Sequence, residues 1–156
     1  MRFACIAVAT DFSAGADLAF ASALELAVQH GARLLVVHVI PPLITPTPLL
    51  DAMVVSEMSL QLRENLYDSA QREMNQRYLA QAGKVPCEAV IRDGDPSREL
   101  ASLIQERGVD LLVVGSTGLS GLAGVFFGSV AAKAVRRASC SVLVVRPAPG
   151  GDRAPA

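Results

Sequence analysis

Tryptophan is absent from this 156-residue chain, and phenylalanine and tyrosine bring the aromatic content to only 4%. Positive charge is not in excess either, since 14 Lys and Arg stand against 15 Asp and Glu. A nucleic-acid surface wants a basic face interleaved with stacking rings, so that class of partner is excluded. Cysteine is scarce. Cys5, Cys87 and Cys140 are odd in number, lack C-x-x-C spacing and lie in or beside apolar runs, the pattern of buried free thiols rather than disulfides or metal ligands. Histidine occurs only at His30 and His38, and no Cys/His/carboxylate cluster has ligand spacing, which argues against a transition-metal site. His38, inside an apolar run, reads as a structural residue. No apolar run reaches the ~18 residues of a membrane span. Met1 to Thr10 has the charge-then-apolar look of a signal peptide, but Asp11 ends the run early and a buried first strand explains it better. A cytoplasmic protein with no membrane partner is the expectation.

What is abundant is apolar residues, 51% of the chain against 19% charged, as in a parallel sheet covered on both faces. The length predicts a single domain over residues 1–147, followed by a Pro-, Gly- and Ala-rich disordered tail at 148–156. Apolar strand-like runs alternate with helical patterns, which indicates βαβ units. Strands are predicted at Phe3 to Ala9, Arg33 to Val39, Pro86 to Arg92, Val109 to Val114 and Ser141 to Val145. The first helix should start near Ala14 with Ser13 as N-cap, stop at Gly31 and bury Ala16, Phe20, Ala23, Leu24 and Ala27. After a loop rich in proline from Ile40 to Leu50, a long second helix is predicted from Asp51 to Ala82. Its inner face would carry Val54, Met58, Leu62, Leu66, Ala70, Met74 and Tyr78. Asp95 should cap the third helix with Pro96 in its first turn, and Gly108 should end it.

Between the fourth strand and the fourth helix, Gly115 to Ser129 holds five glycines in fifteen residues. Glycines let a backbone approach a ligand closely, and a helix start adds free N–H groups and positive dipole, so the combination points to a bound phosphate. It is not a P-loop, because Ser129 and Val130, and no lysine, follow Gly128. Nor does it follow the first strand with G-x-G spacing, as a dinucleotide fingerprint would. In open α/β sheets, ligands bind beyond the carboxyl ends of strands where the strand order reverses.

The pattern Gly115-x2-Gly118-x9-Gly128-Ser129, preceded by Val113-Val-Gly-Ser116 and followed by Cys140-Ser-Val-Leu-Val-Val-Arg146, resembles the universal stress protein family, in particular its ATP-binding branch. Ala7-Val-Ala-Thr-Asp-Phe-Ser13 and Val36-Val-His-Val39 resemble the same family, so the likeness spans about residues 3–147. It implies an adenine-nucleotide-binding, Rossmann-like α/β fold: an open five-stranded parallel sheet of order 3-2-1-4-5 with helices on both faces. The reversal then lies between strands one and four.

The resemblance also implies ATP, with Mg²⁺ carried by its phosphates, as cofactor. Ala9, Thr10 and Asp11 would line the nucleoside site, and the backbone of Val39 would read the base edge. Gly115, Gly118, Gly128, Ser129 and Val130 would meet ribose and phosphates, and Val114 and Ser116 would belong to the same nucleotide site. From position alone, Asp11 is equally a ligand contact or a helix cap. The glycine loop carries no charge, so neutralisation falls to backbone dipoles, a metal ion or a distant cation such as Arg92 or Arg98. The expected function is a cytoplasmic stress-response regulator or sensor that binds ATP. The alternatives are a weak ATPase or nucleotide-dependent hydrolase using Asp11 or a base supplied in trans, and an interaction module that binds no nucleotide. A homodimer through Ser141 to Val145, the apolar outer strand, is expected as well.

Overall fold

The computed structural model describes residues 1–42, 52–117 and 128–147, the side chains of 52–56 and 58 excepted. Most of the proline-rich loop, Gly118 and the expected tail at 148–156 lie outside the described residues. The chain alternates strand and helix as β1 (Cys5–Ala9), α1 (Ala14–His30), β2 (Arg33–Ile40), α2 (Ala52–Arg77), β3 (Cys87–Asp93), α3 (Pro96–Arg107), β4 (Leu111–Gly115), α4 (Ser129–Arg137) and β5 (Ser141–Val145). The strands form one parallel sheet in the order β3-β2-β1-β4-β5.

Helix ends follow local chemistry. Ser13 caps α1 through its side chain, Asp95 caps α3 with Pro96 at its start, and Gly31 and Gly108 close the same two helices in the left-handed conformation. β1 begins two residues later than its apolar run suggests. The Asp110 carboxylate accepts the amides of Ala4 and Cys5 at 2.7 and 2.9 Å, fastening the chain there before the ladder begins.

Alternation along the strands divides the core. Ile6 and Val8 of β1 and Leu34 and Val36 of β2 face α1 and the end of α2, against Phe20, Met74 and Tyr78. Ala7, Leu35, Val37 and Leu112 face α3 and α4, against Leu103, Ile104 and Ala134. Each fully buried Leu, Ile or Val contributes about 1.5–3 kcal/mol, so the two faces dominate stability. α2 differs from its periodicity. Ala70, Met74 and Tyr78 are buried, but Leu66 is only half-buried and Leu62 is 43% exposed. Val54 and Met58 lie among the side chains not described. The helix ends at Arg77, and a 3-10 turn, Leu79–Gln81, takes its last expected turn. Among its described positions, the stripe is buried at the end that packs on the sheet.

The helices that follow β1 and β4, α1 and α4, pack on opposite faces of the sheet. The carboxyl ends of the two strands, side by side in the sheet, therefore part and leave a crevice.

Candidate functional site

That crevice is a cavity of about 330 Å³ at the ends of β1, β2 and β4. Ala9, Thr10 and Asp11 border it from the β1 end, Val39 from β2, and Val114 and Gly115 from β4. Gly128, Ser129 and Val130 border it from the start of α4. Ser116 does not line it. Its amide donates to the Val145 carbonyl at 2.8 Å and its carbonyl accepts from the Gly128 amide at 2.7 Å, so it ties β4 to β5 and to the head of α4. Gly118 lies outside the described residues.

Val39 presents backbone as well as side chain. In a parallel ladder, alternate residues turn their amide and carbonyl to the same neighbour. Val37 accepts the Thr10 amide at 2.8 Å, so Val37 and Val39 face the β1 side, whereas Ile40 accepts from Gly94 on the β3 side. β1 ends opposite Val37, and Val39 therefore turns its peptide groups to the cleft. The Thr10 carbonyl, where the next rung would form, accepts from His38 Nδ1 at 2.8 Å. A carbonyl only accepts, so Nδ1 carries the proton and His38 serves as a strut.

The α4 end is a cluster of donors. Gly128 has extended backbone (φ −63°, ψ 157°), accepts from Ala132, and has no side chain to cap the helix. The first-turn residues Ser129, Val130 and Ala131 all line the cavity. Their amides carry the positive end of the helix dipole. Asp11 Oδ1 accepts the Ser13 amide at 3.1 Å, an Asx turn ahead of the helix, while Ser13 itself holds the cap.

Residues missed by sequence reasoning complete the walls. Val37 comes two residues before Val39 on the same strand face, a signal that was available. Pro96 and Leu100 of α3, Ala16 of α1, Thr117 and Ala131 arrive only through packing. Asp11 is the one charged side chain lining the cavity among the described residues. Arg92 and Arg98 do not line it. β3 is separated from the crevice by β2, and Arg92 is paired with Glu106. No group of three His, Cys, Asp or Glu that could hold a metal ion occurs among the described residues.

Residues 3–146 match the model of the universal stress protein family. The chain is 31% identical over 148 residues to universal stress protein YxiE of Bacillus subtilis, covering 89% of this chain and 96% of that one. It is similar to the structure of universal stress protein UspA from Lactobacillus plantarum, with a TM-score of 0.82 and 26% identity over 94% and 99% of the two chains. It also resembles a universal stress protein crystallised in complex with cAMP, with a TM-score of 0.62 and 30% identity over 93% and 98% of the two chains.

Proposed function

The chain belongs to the universal stress protein family, and on that premise we propose that it is a cytoplasmic ATP-binding regulator of a stress response. The observation that carries this reading is the make-up of one cleft. An apolar slot, a carboxylate and an open helix start lie in succession around it, matching the three parts of a nucleotide.

The base would lie against Val37, Val39 and Val114, with the Val39 peptide groups meeting the donor and acceptor of its edge. Asp11 would accept from ribose hydroxyls. The amides of Ser129, Val130 and Ala131, with the Ser129 hydroxyl, would hold the phosphates. The cAMP-bound relative supports an adenine nucleotide as ligand. ATP carries about four negative charges, and the dipole of one helix offsets about half a charge. Mg²⁺ bound through the phosphates would supply the remainder, since no cation lines the described part of the cleft and residues 118–127 carry none. Asp11 is the sole candidate base there, and its Oδ1 already accepts the Ser13 amide, so we assign binding rather than turnover. Two copies would pair through β5.

Titration calorimetry tests the assignment. One ATP per chain should bind, and omitting Mg²⁺ should weaken it by about tenfold, 1.4 kcal/mol. Absence of heat with ATP in the presence of Mg²⁺ would sink it.

A further inference from the structure

Phe12, beside Asp11, is the only non-glycine residue with positive φ among the described residues, at 63°. A bulky side chain disfavours that conformation, which persists only where its surroundings impose it. Both backbone groups of Phe12 are held. Its amide donates to Thr10 Oγ1 at 3.0 Å, and its carbonyl accepts from Arg77 Nη1 at 3.0 Å. Arg77 Nη2 donates to Asp17 Oδ2 at 2.6 Å, and Tyr78 Oη donates to Asp17 Oδ1 at 2.8 Å. Tyr78 has one proton, so in its 2.7 Å contact with Thr10 Oγ1 the threonine is the donor. The bonds close into a ring through Thr10, Tyr78, Asp17, Arg77 and Phe12.

Packing reinforces this ring. The Phe12 ring lies 4.6 Å from His38, and the Arg77 guanidinium lies 6.0 Å from the Phe12 ring centre. Tyr78 is 1% exposed, and burial pushes its phenol up to about 12, so the proton it gives Asp17 stays in place at neutral pH. Arg77 closes α2 and Tyr78 directly follows it, more than sixty residues along the chain.

We infer that Tyr78 and Arg77 are positioning residues for the nucleotide cleft: with Asp17 they hold the turn at Phe12 and so aim the Asp11 carboxylate at the ligand. The inference rests on the nucleotide reading of that cleft. Asp11 lies between Thr10 and Phe12, the two residues the ring secures, and Thr10 and Asp11 both border the cavity. A loosened ring would free the turn and spread the carboxylate over several orientations.

Tyr78→Phe removes one oxygen and keeps the buried ring. ATP affinity of this variant should fall about tenfold in the native background, but by less than about twofold in an Asp11→Ala background. Equal losses in both backgrounds, or none in either, overturn the inference. Arg77→Lys keeps the charge without the two-pronged reach and should give the same pattern; an unaltered affinity removes Arg77 from the role. A ligand-free readout separates this from the nucleotide reading itself. Amide exchange at Phe12 and Ser13 should quicken about tenfold or more in Tyr78→Phe. If the native chain takes up no ATP the nucleotide reading fails, and the exchange result still decides the clamp: unchanged exchange overturns it.

Discussion

A methyl group at Gly15 would sit 2.4 Å from the Thr117 carbonyl oxygen, and one at Gly115 would sit 2.7 Å from the Gly15 carbonyl oxygen. The first turn of α1 crosses the end of β4 so closely that neither residue has room for a side chain. Gly115 reads in the sequence as a ligand approach; its need for glycine is set at least as firmly by α1. Gly15, which closes the same contact, carries no sequence signal because its partner is a hundred residues away. Both obstacles are backbone and cannot swing aside. Gly15→Ala and Gly115→Ala should each cost about 3 kcal/mol, the upper part of the range for overpacking. Gly31→Ala meets open space and bears only its left-handed conformation (φ 63°), about 1 kcal/mol. Urea midpoints at constant slope give the comparison. A Gly15 variant no less stable than the Gly31 variant would show that the two elements separate freely.

Elements begin and end where local hydrogen bonding says they should, except where a distant group intervenes. Ser13, Gly31, Asp95 and Gly108 act on residues within four positions, and all are legible in the sequence. The start of β1 is not, because it depends on Asp110 at the head of β4. The amide of Ala4, then that of Cys5, holds the Asp110 carboxyl below the usual carboxylate range. On unfolding both bonds vanish and the ordinary value returns. The contribution is therefore complete above the ordinary pKa of about 3.9 and is lost as pH falls through the lower native value. Asp110→Asn keeps one acceptor but cannot titrate. It should cost about 1 kcal/mol at neutral pH, a figure held down by exposure, and should lose less stability than the native chain below about pH 4. Urea unfolding at pH 6 and pH 3 measures both; parallel losses in the two proteins would refute the linkage.

At the scale of the whole molecule, the sheet has two edges of opposite character. β3 carries Glu88, Arg92 and Asp93, ion-paired with Arg107, Glu106 and Arg63. β5, Ser141–Val145, carries no charge, and Leu143 is 37% exposed. Charge blunts an edge against pairing, so among the described residues β5 is the edge better suited to pair with a second copy. Two chains related by a twofold axis would cover each other there. Sedimentation at micromolar concentration should give about twice the monomer mass, and Val144→Pro, which removes one strand donor, should shift the protein toward monomer. A native protein sedimenting as a monomer would leave β5 uncovered and remove the dimer from the proposed function.

Strand–helix alternation and the helix caps were determined by the sequence alone. Periodicity and capping act over a few residues, and each leaves its mark within one window. Strand order entered through resemblance, since spacing does not reveal which strands are neighbours. Only the tertiary structure decided what that order does to individual groups. It buried Ala70 and Met74 of α2 while leaving Leu62 exposed, turned the Val39 peptide to the cleft, left Ser116 as a tie and set Arg92 away from the site. It also brought Arg77 and Tyr78 under the turn that bears Asp11. Each of these depends on contacts between segments far apart in the chain, where no local pattern carries the information and packing selects the partner.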